Sequence, residues 1–470
     1  MKTKILLLLL LLTVLCALSG CEKSEKAELL VSHAGECWYM GFGEAEIPCP
    51  ETGEPLYIAG YHNGRPIDGV HDLQRASAVW MDTGAEGVLL IGVDCVGLAR
   101  DTVNAIRARL SDFCRETDCA SVNVFSTHDH AGVDTLGLWG PVAIDGKNDA
   151  FMENLISAAE QAARAAYDSR TEGTLYAGSV ETDGILEDSR EPYVFDEEMH
   201  ILRFAPENGG AGIRMLFYGV HAESLRGDNL TVSRDFPGVV SDIVREKTGD
   251  AVLWVPGAVG GLIKSKILCE GEFDAFENCT LTGERAAAFA LSAYEETPVF
   301  PSLSLAWTEA DIPLDNTLFL YYRFLGVLGN PMHGGADSQT GYALTTEVSC
   351  LKLGNYVLAL LPGELFPELT ENFSAFAKDG ETFLLAGLCN DELGYIIPEE
   401  DFYLDETLPF FVEGVDGNGK KHYEETNSTG SRTAALLAEA FGRVCDAVHT
   451  GTAEENRKQE PSVQRKSDGT

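Results

Sequence analysis

The stretch SVNVFSTHDHAG, residues 121–132, leads from an apolar run into two histidines, His128 and His130. The apolar run predicts a β-strand, so the histidines follow its carboxyl end. In open α/β sheets, ligand sites gather outside the carboxyl ends of strands. The pair therefore belongs either to a metal site or to a surface turn. Two histidines cannot make a site alone, so the rest of the chain has to supply the partners.

The surrounding sequence alternates strand-like and helix-like segments. GVLLIGVDCVGL (87–98) is typical of a buried strand, and DTVNAIRARLSDFC (101–114) follows with apolar residues at helical spacing. The same pattern returns over residues 213–249, 251–296 and 356–378. This alternation predicts an α/β fold, in which a layered parallel or mixed sheet is flanked by helices.

The composition is that of a strongly acidic globular protein. The 470 residues are 45% hydrophobic and carry a formal net charge of −40. A surface this acidic argues against nucleic acid as a partner. The oligomeric state cannot be read from the sequence.

The first residues have the pattern of an export signal. MKTKILLLLLLLTVLCALSGC places two lysines before an apolar run, and small residues before Cys21. The LSGC ending resembles a bacterial lipobox, whose cysteine is acylated. Residues 1–20 are therefore predicted to be a lipoprotein signal peptide, and residues 21–30 an acylated cysteine with a short tether. The protein is then extracytoplasmic and lipid-anchored to a bacterial membrane; an ordinary membrane anchor is the alternative.

The end of the chain differs from the rest in composition. Residues 451–470 have almost no apolar content and are predicted to form a disordered tail. The remaining residues, 31–450, are predicted to form one large domain. Ten cysteines follow Cys21 without a CxxC motif, and in an exported protein Cys114 with Cys119, or Cys269 with Cys279, are close enough in sequence to pair.

Four predicted strands run into a residue that can bind a metal. These residues are His128, His221, Glu364 and Tyr395. Taken singly, each has an ordinary structural explanation, such as a buried histidine, a glutamate at a helix start or a tyrosine in the core. Four potential ligands at four strand ends can nevertheless converge on one point, which is a stronger signal than any single motif.

Several motifs of the chain follow one another in a recognisable order. They are THDHAG (127–132), SREPYVFDEEMHILRF (189–204), HAESLRGDNLTVSRDFPG (221–238), LPGE (361–364) and CNDELGY (389–395). Together, over residues 38–430, they resemble the catalytic domain of the neutral ceramidase family, zinc-dependent amidases that cleave N-acylsphingosines. The resemblance implies a divergent bacterial member with a ceramidase-like zinc hydrolase domain at residues 31–450.

The resemblance also implies a set of site residues. The family's zinc ligands fall on His128, His221, Glu364 and Tyr395. Its transition-state contacts fall on His130 and Arg190. Imidazoles and a carboxylate suit a catalytic Zn²⁺, which activates water and polarises a carbonyl. The implied reaction is hydrolysis of the amide bond of a small-molecule or lipid N-acyl substrate, such as ceramide.

The chain also departs from the family pattern. The family's GDVSPN segment aligns with GGLIKS (260–265), so the position of its catalytic serine becomes Ile263, and Ser265 lies two residues on. Tyr423, in HYEETNSTG, corresponds to a residue of the family's substrate pocket. The family's C-terminal β-sandwich domain is expected to be absent.

These departures keep other functions open. The chain is alternatively a catalytically inactive substrate-binding lipoprotein on a ceramidase-like fold, or a metal-dependent esterase. A hydrolase of phosphate or sulfate esters could use Arg190 and Arg234. The acidic composition and the lack of a phosphate-binding loop argue against that last function.

Overall fold

The computed structural model describes residues 26–51, 53–142, 144–292 and 294–451. The predicted signal peptide, Cys21 with its predicted acylation, and the tail from residue 452 lie outside the described residues. The first strand begins at Glu28, two residues before the predicted end of the tether. Among the helices of the described part, none is both long enough and apolar enough to cross a membrane.

Thirteen strands of five residues or more, together with eight helices, make up the described framework. The strands are β1 (Glu28–Ala34), β2 (Trp38–Glu46), β3 (Arg75–Asp82), β4 (Gly87–Val93), β5 (Cys119–Ser126), β6 (Thr171–Glu181), β7 (Glu198–Pro206), β8 (Ile213–Tyr218), β9 (Ala251–Pro256), β10 (Ser302–Leu314), β11 (Tyr342–Leu353), β12 (Tyr356–Leu360) and β13 (Thr382–Ala386). The helices are α1 (Arg100–Arg109), α2 (Ser111–Thr117), α3 (Asp149–Asp168), α4 (Asp235–Thr248), α5 (Ala275–Ala290), α6 (Thr317–Phe324), α7 (Thr370–Ser374) and α8 (Thr433–Thr450).

The strands form two large mixed sheets. The larger has the order β9-β8-β7-β6-β2-β3-β4-β5, with Thr297–Pro298 added beside β6. The smaller has the order β1-β10-β11-β12-β13, with Met332–Gly334 beside β11. Most neighbours are antiparallel, but β4 with β5, β8 with β9, and β12 with β13 are parallel. The predicted mixed sheet is therefore confirmed, and it consists of two sheets.

The two sheets pack face to face, and helices cover their outer faces. Trp38 and Phe204 of the larger sheet belong to one buried cluster with Leu305 and Leu358 of the smaller sheet. Helix α3 covers the larger sheet on its other side, and α8 covers the smaller. Each large apolar side chain buried in these layers contributes about 1.5–3 kcal/mol. The result is a four-layer α-β-β-α architecture.

Helix α8 shows why its sequence forms this outer layer. Leu437, Phe441, Val444 and Val448 are buried and recur at intervals of three or four residues. Such spacing puts them on one face of a helix. By contrast, the helix predicted within residues 365–378 is short, because Pro367 begins a 3-10 turn and α7 covers only Thr370–Ser374.

The cysteines do not form disulfides in the structure. All ten cysteines from Cys37 to Cys445 are free thiols. The fold of the described residues is therefore stabilised by the packing of the two sheets against each other and of the helices against their outer faces.

Candidate metal centre

His128 and His221 each direct their Nε2 atom towards the same point. His128 Nδ1 donates to the carbonyl oxygen of Val96 at 2.7 Å, and His221 Nδ1 donates to that of Ile263 at 2.7 Å. A carbonyl oxygen only accepts, so each Nδ1 carries a proton, and the neutral form of each ring has its lone pair on Nε2. Both side chains are buried. This is the tautomer that a histidine needs to bind a metal through Nε2.

The strand ends bring these rings together. His128 lies two residues after β5 and has a φ of 61°, so the chain turns immediately after the strand. His221 lies three residues after β8. The loop beyond His221 is fixed by the buried carboxylate of Asp235, which accepts hydrogen bonds from the backbone N–H groups of Ser224 and Leu225. The two ring centroids are 4.5 Å apart.

The carboxylate of Glu364 lies between the two histidines. Its Oε2 is 3.1 Å from His221 Nε2 and 3.3 Å from His128 Nε2. Glu364 belongs to a two-residue strand that pairs in parallel with Tyr395–Ile396, and Glu364 is opposite Tyr395. The preceding Gly363 has a φ of 106°, and a Cβ there would lie 2.6 Å from a backbone oxygen. Only glycine allows this turn to deliver the carboxylate.

The electrostatics of the cluster favour a cation. Burial alone would raise the pKa of Glu364, but His128 and His221 hold it well below its usual range. Burial would lower the pKa of His221, yet its hydrogen bond to Glu364 raises it. A buried carboxylate held in its charged form by two imidazoles is suited to share a metal ion with them.

The second histidine of the opening motif lies in the same cluster. His130 Nε2 is 3.3 Å from His128 Nε2, and its Nδ1 is buried without a hydrogen-bond partner. Burial and the neighbouring histidines lower the pKa of His130 to about 3, so the ring is neutral. Nitrogens of His128, His130 and His221 all lie within 4.8 Å of one another, so the three can hold a metal together. The predicted catalytic role of His130 stays a prediction.

Tyr395 lies at the edge of this group. It is buried, and its hydroxyl is 3.2 Å from that of Tyr423. Burial and the charge of Glu364 raise the pKa of Tyr395 well above its usual value, so the phenol is protonated when no cation is nearby. Both tyrosines line the same cavity as His128 and Glu364. The predicted role of Tyr395 as a metal ligand stays a prediction.

Arg190 occupies a different position. Its guanidinium is buried and contacts carboxylates of Asp401 at 3.2 Å, Glu424 at 3.1 Å and Glu425 at 2.9 Å. It does not line the cavity that contains the histidines, as far as the described residues define it. The predicted role of Arg190 as a transition-state contact stays a prediction. Its contacts instead fix the segment that carries Tyr423.

A cavity of about 370 Å³ lies next to the polar cluster. His128, His130 and Glu364 lie in its wall. The rest of the wall is mostly apolar and includes Val96, Ala99, Leu136, Leu138, Trp139, Leu318, Phe319, Tyr322, Leu328, Leu344 and Leu393. A cavity with convergent polar groups and apolar walls is the usual form of a binding site for a small amphiphilic molecule.

Several residues of the site were not predicted from the sequence. The carbonyl groups of Val96 and Ile263 orient the histidines, and a backbone carbonyl leaves no signal in residue identity. Asn390 is hydrogen-bonded to Val124 of β5. The side-chain oxygen of Asn390 accepts from Val124 N–H at 2.9 Å, and the backbone N–H of Asn390 donates to the carbonyl oxygen of Val124 at 2.7 Å. The CN of the CNDELGY motif was the available signal. Tyr61 donates to Glu223 at 2.6 Å beside His130.

Known proteins resemble the chain in fold, at low sequence identity. No known family model and no curated protein sequence matches the chain. Among solved structures, the neutral ceramidase from Pseudomonas aeruginosa superimposes with a TM-score of 0.69 and 17% identity, over 88% of this chain and 74% of that one. A ceramidase complexed with C2 gives a TM-score of 0.67 and 17% identity, over 88% and 75%.

The chain therefore has a layered, mixed α/β fold with a histidine cluster able to hold a metal. More specifically, its fold is that of the neutral ceramidases. The resemblance predicted from the motifs is thereby confirmed at the level of the fold, and the low identity fits a divergent chain.

Proposed function

We propose that the protein is a zinc-dependent hydrolase that cleaves the amide bond of an N-acyl compound, ceramide or a related N-acyl lipid. One observation carries the proposal: His128 and His221 converge on Glu364, and His128 and Glu364 lie in the wall of a mostly apolar cavity. The ceramidase fold adds to this support.

The donor set fits zinc. Two imidazole nitrogens and one carboxylate form the protein part of many catalytic zinc sites, which keep a further position for water or substrate. Tyr395 would complete the set from the edge, and His130 would stand beside it. Mg²⁺ and Ca²⁺ prefer oxygen ligands, and imidazole suits zinc better.

The chemistry follows from the placement of the residues. Zinc bound there would activate water and polarise the substrate carbonyl. His130 is neutral, and one nitrogen of its ring can donate a hydrogen bond to the carbonyl oxygen as charge develops there. The phenol of Tyr423, 3.2 Å from that of Tyr395, is a second donor in the cavity wall.

The residues of this chain favour water, rather than a serine, as the nucleophile. Ile263 replaces the serine of the family pattern, and its side chain is fully buried in an apolar cluster. Its backbone carbonyl is engaged by His221. Ser265 is also fully buried. A mechanism through a serine nucleophile at either position therefore has no support in the structure.

The alternatives differ in their requirements. A phosphate or sulfate ester hydrolase needs a free arginine, but Arg190 contacts three carboxylates and Arg234 is paired with Asp72 at 2.7 Å and Asp242 at 2.8 Å. A metal-dependent esterase would use the same groups as an amidase. Substrate comparison has to separate those two reactions.

The test combines metal analysis with turnover on the full chain. We expect about one zinc per chain in the wild type, lost in His128→Ala and Glu364→Ala and kept in the matched control His62→Ala, an exposed histidine. Amide and ester substrates with the same acyl chain should then be compared, with chelation and readdition of zinc, magnesium or manganese. Zinc-restored amide cleavage supports the proposal, and ester cleavage alone points to an esterase. Bound metal without any turnover indicates an inactive binding lipoprotein.

We further propose that the protein is held at a bacterial membrane by an acyl chain on Cys21. The support is the signal-like sequence before Cys21. Metabolic labelling with a radioactive fatty acid should mark the wild type and fail to mark Cys21→Ala. Equal labelling of both would contradict the anchor.

A further inference from the structure

Helix α6 has two apolar faces with different surroundings. One face, formed by Leu318, Phe319 and Tyr322, lines the cavity. The other face is exposed to solvent and consists of Tyr321 (54% exposed), Phe324 (65%) and Leu325 (45%). The spacing of three to four residues within each set is helical, so the helix separates the cavity from the solvent.

A second segment has the same arrangement. Leu136, Leu138 and Trp139 line the cavity, whereas Val142 and Ile144 are 77% and 60% exposed. The two segments are in contact, because Lys147 Nζ donates to the carbonyl oxygen of Val327 at 3.0 Å. We call the exposed side chains of both segments the apolar rim, formed by Val142, Ile144, Tyr321, Phe324 and Leu325.

The charge pattern sets the apolar rim apart from the rest of the surface. Of 470 residues, 74 are acidic, yet residues 135–144 and 316–336 contain no aspartate or glutamate. Asp145, which follows the first segment, is paired with Lys147 at 3.5 Å. Near the second segment, the exposed acids are Asp101, beside Gly329, and Asp337. Large exposed apolar side chains within segments that themselves contain no acids mark a surface that meets another apolar phase.

We propose that the apolar rim inserts into the interface of a lipid bilayer. Anionic headgroups repel a protein of net charge −40, so a face whose own segments contain no acids is the one that approaches a membrane most easily. Aromatic side chains such as Tyr321 and Phe324 are favoured at the membrane–water interface. The same two segments form part of the cavity wall, so insertion brings the bilayer next to the cavity.

This inference goes beyond the proposed reaction and needs neither turnover nor zinc for its test. The probes are Phe324→Trp and, in the other segment, Val142→Trp. The matched control is Phe300→Trp, which is 64% exposed but precedes the start of β10, whereas α6 follows its end. Thirteen residues of strand separate the two ends by about 40 Å.

The measurement uses the full chain with vesicles of phosphatidylcholine, with and without brominated acyl chains that quench tryptophan on contact. After subtraction of the wild-type signal, we expect quenching of the added fluorescence to be at least twofold greater at positions 324 and 142 than at position 300. The control also reports any proximity caused by an acyl anchor alone.

Two outcomes would overturn the proposal. Equal quenching at all three positions, or none at positions 324 and 142, would mean that the rim does not enter the bilayer. A blue shift of the Phe324→Trp emission that grows with protein concentration in the absence of lipid would assign the rim to a second copy of the chain. Failure of the hydrolase proposal would leave the quenching result unchanged.

Discussion

Replacing Glu364 by glutamine tests the metal site through stability. The carboxylate Oε2 lies 3.1 and 3.3 Å from the two Nε2 atoms, so the change keeps the size of the side chain and removes its charge at the centre of the cluster. Zinc at 100 times its dissociation constant stabilises a protein by about 2.7 kcal/mol. We expect this gain in the wild type.

The corresponding temperature shift follows from the size of the chain. At about 2.1 cal/mol/K per residue, the roughly 420 described residues give an unfolding entropy near 0.9 kcal/mol/K, so zinc should raise Tm by about 3 °C. A neutral amide in place of the anionic ligand weakens binding by about 100-fold or more. At the same zinc concentration the gain then falls to about 0.4 kcal/mol, or about 0.5 °C.

The assay is thermal unfolding of chelated protein and of protein at a buffered zinc concentration, each variant compared with its own metal-free form. Glu371→Gln is the matched control, because this glutamate is exposed on the nearby α7, and it should keep the full shift. A Glu364→Gln variant that gains about 3 °C like the wild type would refute the assignment of Glu364 as a metal ligand.

Three further predictions follow from the same contacts. His130→Gln should keep its zinc and lose about 10²–10⁴-fold in kcat. In the wild type the pKa of His130 is about 3, so His130 takes up a proton only in strong acid. It should therefore add no inflection to the wild-type pH–rate profile between pH 5 and 9. Arg190→Met leaves buried carboxylates unpaired and should lower the free energy of unfolding in urea by about 3–5 kcal/mol, whereas the exposed Arg115→Met should change it little. Leu344→Phe narrows the cavity and should lower kcat/KM for long N-acyl chains about tenfold more than for short ones, as measured across a chain-length series.

Much of the site could be predicted because it depends on strand ends. His128, His221 and Glu364 each follow a predicted apolar strand, and the structure brings their side chains together. Tyr395 reaches the same cavity through its pairing opposite Glu364. Local sequence is informative here, because a short strand and the residue after it fix where a side chain emerges.

The second sheet could not be predicted in the same way. Strand β10 alternates buried and less buried residues, but this alternation does not identify its partners, because Leu303 and Leu305 belong to the cluster shared with the larger sheet, and Ile312 and Leu314 to the cluster of α8. Of its partners, β1 is remote in sequence, and β11 is separated from β10 by helix α6. The contacts of Arg190 were equally hidden, because Asp401, Glu424 and Glu425 lie more than 200 residues away.

The division of the candidate ligands between the two sheets has a structural consequence. His128 and His221 follow strands of the larger sheet, whereas Glu364 and Tyr395 follow strands of the smaller one. The cluster therefore exists only when the sheets are packed face to face, and the two hydrogen bonds of Val124 to the side chain and the backbone of Asn390 fix that packing beside it. A metal ion bound by both pairs would cross-link the sheets. Because it would bind the packed state and not the separated sheets, its binding free energy would add to the stability of the whole domain, so removal of zinc should loosen the sheet interface as well as stop the reaction.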